Sequence, residues 1–287
     1  MSVSLVGVAS SRALPTASTV RDDDDPIRAG FEIRTGLGGV CTIMANANFD
    51  GTKEGFVTAS HCTTEMGDTS PPDSAWQASS GPYVADEEED PAYTLGLGPC
   101  APWQSCRYSD AALFEYLSTV DMERAIIANT EFESIDLERP DRSIEDDDPH
   151  CPWVPWCTIV GDSVYKIARS TGLTGGGVGK ACEMHTTTRK FPGMPDVTKT
   201  YICSDRIDGD DGFIEGGDSG SPVFEREGVS DVTLWGIAFS ANDDTLPDKY
   251  WMSRIDNIRA ELGSMGIVNL GPGGPQSVVP RSGARRR

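Results

Sequence analysis

Residues 217–222 read Gly-Asp-Ser-Gly-Ser-Pro, and the rest of the chain is best interpreted from this stretch. A serine hydroxyl becomes an effective nucleophile only when a base takes its proton, and its tetrahedral adduct needs hydrogen-bond donors for the oxyanion. Flanking glycines allow a sharp turn that leaves the N–H groups of Gly217 and Ser219 free to point at such an oxygen. An ordinary glycine-rich turn is the alternative, so the interpretation needs support from other segments.

Two other segments carry the groups that a nucleophilic serine needs. Residues 58–62 read Thr-Ala-Ser-His-Cys after a β-rich run, so His61 stands at a strand end that a Cys62–Cys41 bridge could clamp. Asp110 leads into an apolar, buried-looking run, where its carboxylate could hold an imidazole in the required tautomer. Each has a plainer interpretation, because a lone histidine is usually a core residue and such an aspartate is usually a strand cap.

The three segments together resemble the motifs of the chymotrypsin-like serine peptidases. TASHC at 58–62 matches their histidine motif, DAALF at 110–114 their aspartate strand, and GDSGSP at 217–222 their nucleophile motif. The chain order His, Asp, Ser is also theirs, whereas α/β-hydrolases and subtilisins use other orders. Residues 27–31 (IRAGF) and 170–175 (STGLTG) resemble the bacterial streptogrisin and alpha-lytic branch.

This resemblance implies an all-β fold of two six-stranded antiparallel β-barrels with a C-terminal helix. It also implies a serine endopeptidase that cleaves peptide bonds through an acyl-enzyme intermediate. His61 would accept the proton of Ser219, Asp110 would orient His61, and the N–H groups of Gly217 and Ser219 would form the oxyanion hole. We expect activity to fall in acid, because a protonated histidine cannot act as a base.

The resemblance also indicates a primary specificity pocket built from two segments. Its predicted residues are Phe213, Glu215, Gly216, Phe239, Ser240, Ala241 and Asn242. The two phenylalanines favour an apolar or small side chain at the cleaved position, while Glu215, Asp243 and Asp244 leave a basic one open. No cysteine closely precedes Ser219, so the disulfide that commonly braces this pocket in the family is not expected.

Asp218 needs a cationic partner if the nucleophile turn is to be held in place. In animal relatives a freed N-terminus is inserted beside this aspartate, but the activation dipeptide is not clear at Ile27. Lys166 or Arg169, near the 170–175 turn, is therefore the predicted partner.

Patterning along the chain, together with the resemblance, predicts five parts. From Phe31 onward short apolar runs alternate with turn residues, which is typical of a β-barrel or sandwich, and residues 253–262 have the apolar spacing of a helix. The predicted parts are a flexible leader or linker (1–26), a first barrel with His61 and Asp110 (27–135), an acidic connector (136–156), a second barrel with Ser219 and the helix (157–265) and a flexible tail (266–287).

Eight cysteines are predicted to form disulfides, although their spacing alone cannot fix the pairing. They are Cys41, Cys62, Cys100, Cys106, Cys151, Cys157, Cys182 and Cys203. A zinc site that uses His150 beside Cys151 is the alternative, but the chain has no CxxC pair. We therefore predict no metal and no cofactor.

The net charge of the chain argues against some classes of binding partner. The net charge is -21 at pH 7, which repels phosphate backbones and argues against nucleic-acid binding. The acidic run at residues 86–90 (DEEED) is expected to be a solvated loop, with calcium binding as the alternative. No apolar run approaches the ~18 residues needed to cross a bilayer, so no membrane partner is expected.

Disulfides indicate an oxidising compartment, so we expect a secreted monomer that acts on polypeptide substrates. The alternative is a catalytically inactive relative of the same fold that serves as a binding module. Such relatives usually lack a triad residue, whereas His61, Asp110 and Ser219 are all present here.

Overall fold

The computed structural model describes residues 27–36, 39–50, 53–77, 81–120, 122–126, 135–138, 160–189, 197–209, 214–227, 231–241, 248–263 and 266–267. In chain order the first strands are β1 (Ile27–Ala29), β2 (Glu32–Thr35), β3 (Val40–Thr42), β4 (Ala45–Phe49), β5 (Lys53–Thr58), β6 (Ser74–Gln77), β7 (Tyr83–Glu89), β8 (Thr94–Leu95), β9 (Ser105–Arg107) and β10 (Ala112–Tyr116). The later elements are β11 (Met122–Ile126), β12 (Ile135–Glu138), β13 (Ser163–Ala168), β14 (Gly172–Arg189), β15 (Val197–Gly209), β16 (Pro222–Glu227), β17 (Asp231–Ala241), β18 (Lys249–Arg254), helix α1 (Ile255–Glu261) and β19 (Gly266–Ile267).

The first sheet has eight strands in the order β19-β4-β5-β10-β7-β6-β2-β3. In it, β5 and β10 are antiparallel, with Thr58 opposite Ala112 and Phe56 opposite Phe114. The two phenylalanine rings stack with their centroids 5.1 Å apart. Because the strands are antiparallel, the end of β5 lies beside the start of β10. This register brings the segment that follows Thr58 next to the segment that precedes Ala112.

The second sheet has eleven strands, in the order β1-β11-β12-β17-β16-β13-β14-β15-β9-β8, with β18 paired to both β15 and β17. β16 runs antiparallel to β17, with Pro222 opposite Ile237. Residues 217–221 therefore lead directly into a central strand of this sheet. Helix α1 follows β18 at once and buries Ile255 and Ile258.

One buried apolar cluster joins the two sheets. It contains Phe56 and Phe114 from the first sheet together with Phe224 and Ile237 from the second. A smaller cluster around Val223 lies within the second sheet. Because both sheets contribute to the main core, the packing fixes the position of one sheet against the other.

The predicted all-β class with a C-terminal helix is confirmed. The helix begins at Ile255 rather than at 253, because Ser253 and Arg254 still pair with β17. The prediction of a flexible tail from residue 266 is wrong for its first two residues. Gly266 and Ile267 form β19 and pair with β4.

Strand pairing crosses the predicted domain boundaries. β1, β8, β9 and β11 come from the predicted first barrel and all but the first residue of β12 from the predicted connector, yet all five strands lie in the second sheet. β9 joins it by parallel pairing, with Cys106 opposite Thr200. The division into two barrels stays a prediction. The predicted leader and most of the predicted connector and tail lie outside the described residues.

The acidic run at residues 86–90 is not a solvated loop, because its first four residues complete strand β7. The pleat of a strand sends successive side chains to opposite faces. Glu87 is 5% exposed, whereas Glu88 is exposed, and the buried carboxylate of Asp90 binds Arg107. Carboxylates divided in this way do not converge on one cation, so these five residues offer calcium no common site.

Three disulfides lie among the described residues. They are Cys41–Cys62, Cys100–Cys106 and Cys182–Cys203. Cys151, Cys157 and His150 lie outside the described residues, so their predicted roles stay predictions. The first bridge joins the middle residue of β3 to the 3₁₀ turn Ser60–Cys62 that follows β5.

Candidate active site

The 3₁₀ turn after β5 and the loop before β10 bring His61 and Asp110 together. Nδ1 of His61 lies 2.5 Å from Oδ2 of Asp110, and the backbone N–H of His61 donates to Oδ1 over 3.0 Å. The backbone N–H of Asp110 donates to Oγ of Ser253 over 2.9 Å. The two carboxylate oxygens therefore hold both the ring and the backbone of the histidine.

Asp110 is fully buried, while the side chain of His61 is 24% exposed. Burial alone would raise the pKa of Asp110, but the charge and hydrogen bonds of His61, together with Arg107, hold this pKa below its ordinary value. An ionised Asp110 places the ring proton on Nδ1 and leaves Nε2 as the proton acceptor. The pair therefore has the arrangement of a general base and its orienting acid.

Ser219 lies in a tight turn that both sheets anchor. The backbone N–H of Thr42 in β3 donates to the carbonyl oxygen of Ser219 over 2.8 Å, and the N–H of Gly220 donates to that of Ala238 in β17 over 2.8 Å. Gly220 has a φ of 91°, and a Cβ at this residue would overlap the carbonyl oxygen of Thr42 and Oγ1 of Thr58. Only glycine allows this approach of the turn to the first sheet.

The turn that carries Ser219 and the turn that carries His61 are both attached to strand β3. Cys41 is bridged to Cys62, the neighbour of His61, while the adjoining Thr42 holds Ser219. Within the described residues no hydrogen bond joins Ser219 to His61. In an unliganded site such a bond is often long and tightens when substrate binds. The role of Ser219 as the third triad member stays a prediction.

The backbone around Ser219 presents two N–H groups on an ordered turn. Gly217 has a φ of 100°, and its carbonyl oxygen accepts from Oγ1 of Thr42 over 2.9 Å. Among the described residues, the N–H groups of Gly217 and Ser219 donate to no acceptor. A pair of unused donors on a fixed turn suits an anion, as the predicted oxyanion hole requires.

Lys166 is the cationic partner of Asp218. Its Nζ lies 3.0 Å from Oδ2 of Asp218, and both side chains are fully buried. Oγ1 of Thr171 donates to the same oxygen over 2.7 Å. Arg169, the other predicted partner, pairs instead with Glu32 over 2.7 Å. The buried side chain of Lys166 therefore holds the carboxylate of Asp218, which directly precedes the candidate nucleophile Ser219.

The structure describes only part of the predicted specificity pocket. Glu215 and Gly216 are exposed, and Ser240 is half-buried. Phe239 is 2% exposed and packs into the core against Tyr201, with ring centroids 4.6 Å apart. The residues Phe213, Asn242, Asp243 and Asp244, and the side chain of Ala241, lie outside what the structure describes.

His185 is a site neighbour that no sequence motif indicates. Its Nε2 lies 3.0 Å from Oγ of Ser240, and its ring stacks on Trp251 with centroids 4.4 Å apart. Burial lowers the pKa of His185 to about 4, so the ring is neutral at neutral pH. Long strand pairing between β14 and β15 brings it to the site, and sequence reasoning cannot foresee such a register.

The described residues contain one group of side chains with the spacing of metal ligands. Only Cys41, His61 and Cys62 place ligand atoms near enough for one ion, and both cysteines are already joined to each other. None of the helices described is long and apolar enough to span a membrane.

Comparison by sequence finds no matching family model and no matching curated protein. Comparison of folds finds solved structures that match most of the chain. One is a glutamic acid-specific serine protease that uses a histidine triad in substrate binding, with a TM-score of 0.54 and 17% identity over 84% of this chain and 100% of that chain.

Two further solved structures also match most of the chain. A Nocardiopsis protease has a TM-score of 0.52 and 16% identity, over 84% of this chain and 98% of that chain. Thermobifida fusca protease A has a TM-score of 0.51 and 17% identity, over 85% of this chain and 98% of that chain. The chain therefore has the fold of the bacterial chymotrypsin-like serine proteases.

Proposed function

We propose that this protein is a serine endopeptidase that hydrolyses peptide bonds through an acyl-enzyme intermediate, with His61, Asp110 and Ser219 as its catalytic residues. The observation that carries the proposal is the 2.5 Å contact between Nδ1 of His61 and the buried, ionised carboxylate of Asp110. The fold of the neighbouring proteases supports it further.

In the proposed reaction Oγ of Ser219 attacks the carbonyl carbon of the scissile bond while Nε2 of His61 accepts the hydroxyl proton. The imidazolium then gives this proton to the leaving amine, and a water molecule repeats the sequence to release the new carboxylic acid. Asp110 stabilises the imidazolium throughout. The N–H groups of Gly217 and Ser219 donate to the oxyanion of each tetrahedral intermediate.

We do not propose for this chain the glutamate specificity that is described for one structural neighbour. That protein uses a histidine triad in substrate binding, whereas this chain has 3 histidines in all. With His61 as the general base, only two others are left, and His185 is neutral because burial lowers its pKa to about 4. A preference for an apolar or small side chain stays a prediction that rests on Phe213, because Phe239 is buried.

We also propose that the protein acts as a secreted monomer on polypeptides. The disulfides Cys41–Cys62, Cys100–Cys106 and Cys182–Cys203 favour an oxidising compartment. The strongly negative net charge of -21 disfavours nucleic-acid and anionic partners.

Active-site labelling tests the proposal. The protein is incubated with a serine-directed phosphonate, digested, and mapped by mass spectrometry. The proposal predicts one adduct, on Ser219, which is absent from the Ser219→Ala variant. A folded protein without an adduct would instead favour the inactive binding module.

A further inference from the structure

Arg107 is the bulkiest fully buried side chain in the described part of the chain, with 1% exposure. A guanidinium stays protonated at any accessible pH, so its burial is costly unless its donors find acceptors. Nε donates to the carbonyl oxygen of Ser109, Nη1 to Oδ1 of Asp90 over 2.6 Å and to the carbonyl oxygen of Pro91 over 2.7 Å, and Nη2 to that of Ala111 over 3.2 Å. Each nitrogen of the buried guanidinium therefore donates to at least one acceptor.

The cation also reaches Asp110 directly. Nη2 of Arg107 lies 3.7 Å from Oδ1 of Asp110, the oxygen that accepts the backbone N–H of His61. The carbonyl groups of Ser109 and Ala111, on either side of Asp110, both accept from the guanidinium. One side chain therefore holds the backbone around the aspartate and lies beside its carboxylate.

Asp90 anchors the guanidinium and links it to the histidine turn. While Oδ1 of Asp90 binds Arg107, its Oδ2 accepts from Oγ of Ser60 over 2.7 Å and from the N–H of Gly67 over 2.8 Å. Ser60 directly precedes His61 in the chain. The buried pair of Arg107 and Asp90 thus contacts the segments that carry both the aspartate and the histidine.

Other titratable groups lie near Arg107, Asp90 or Asp110, on β7, on the loop after it, and on β14, β15 and α1. They are Glu87, Tyr93, His185, Lys199, Tyr201 and Glu261. Burial raises the pKa of both tyrosines and lowers that of the histidine to about 4, so all three are neutral at neutral pH. The lysine Nζ lies over the Tyr93 ring at 4.0 Å, and Glu261 accepts backbone N–H groups. Among the described residues, Arg107 is the permanent cation beside Asp110.

We propose that Arg107 is a positioning residue for the catalytic triad: anchored by Asp90, it fixes the orientation of Asp110 and offsets part of the negative charge that Asp110 presents to His61. The inference rests on the proposed peptidase function. Without the cation, the carboxylate would stabilise the protonated histidine more strongly, so the general base would lose its proton only at higher pH.

The test is the pH profile of kcat/KM for a peptide substrate in Arg107→Gln, Arg107→Lys and the unsubstituted protein. Arg206→Gln is the matched control, because it removes the same charge from a partly exposed pair with Asp208. We expect Arg107→Gln to move the midpoint of the acid limb up by about one pH unit and to lower kcat by about tenfold. Arg107→Lys keeps the charge and should restore the midpoint, and the control should leave it unchanged.

Should Arg107→Gln not be recovered folded, the double variant Arg107→Gln/Asp90→Asn takes its place, because it leaves no unpaired carboxylate. The same direction is expected, since Arg107 rather than Asp90 contacts Asp110. An active, folded variant with an unmoved acid limb would overturn the positioning role and leave the peptidase proposal intact. An unsubstituted protein with neither hydrolysis nor a Ser219 adduct would overturn both.

Discussion

The ammonium group of Lys166 and the carboxylate of Asp218 form an ion pair, with Nζ and Oδ2 3.0 Å apart and both side chains fully buried. Asp218 also accepts the backbone N–H groups of Ser170 and Glu215. The pair therefore joins strand β13 to the turn that carries Ser219, and it links the conformation of that turn to a charge inside the protein.

Lys166→Met should be strongly destabilising, because it leaves the Asp218 carboxylate buried without its counter-ion. We expect a loss of about 3–5 kcal/mol in the free energy of unfolding, measured by urea denaturation. The double variant Lys166→Met/Asp218→Asn should lose clearly less than the sum of the two single variants. Additive losses would show that the two groups do not interact.

Gly220→Ala should reduce both stability and activity, because its Cβ would overlap the carbonyl oxygen of Thr42. Gly161→Ala is a matched control: Gly161 has a φ of 103°, and a Cβ at this residue would meet no other atom within 4 Å. The control should lose about 1 kcal/mol from backbone strain and keep its activity, whereas Gly220→Ala should lose several kcal/mol more. Equal losses would mean that the contact with Thr42 does not matter.

The proximity of His61 and Asp110 could be predicted because each residue lies in its own local motif. The pairing of β5 with β10 then brings His61 to Asp110, as those motifs imply. Arg107 could not be foreseen in this way. Arginine is rarely buried, and its partner Asp90 ends an acidic run that has the composition of a solvated loop.

Two other contacts depend on long-range strand register, which the sequence alone does not reveal. Nothing in the sequence around His185 indicates that it stacks on Trp251, because that contact depends on how β14, β15 and β18 align. The same holds for Phe239, whose ring packs against Tyr201, while its predicted place in the pocket stays a prediction. Alternation along a strand predicts a face but does not identify the neighbour across it.

Glu87 should make the folded state less stable as the pH rises. Burial raises its pKa to about 8 from an ordinary value of 4.5, so the folded state favours the protonated form. Its stabilising contribution is complete below about pH 4.5 and is lost as the pH rises toward 8. Glu87→Gln, which cannot ionise, should therefore be more stable than the unsubstituted protein at pH 8 by about 2 kcal/mol.

Denaturation at pH 5 and pH 8 measures this difference, and Glu88→Gln is the control. Glu88 is the next residue along β7 but is exposed and paired with Lys53. It should give no comparable gain at pH 8. A gain for Glu87→Gln that is the same at both pH values would show that ionisation of Glu87 is not the cause.

The most direct test of the proposed function is the rate of peptide hydrolysis by Ser219→Ala. Purified protein and variant are compared on a peptide library, with folding of the variant verified by its unfolding transition. If His61, Asp110 and Ser219 act as a unit, kcat should fall by about 10⁶ while the fold is retained. A folded Ser219→Ala protein that hydrolyses peptides at the unsubstituted rate would contradict the assignment of Ser219 as nucleophile.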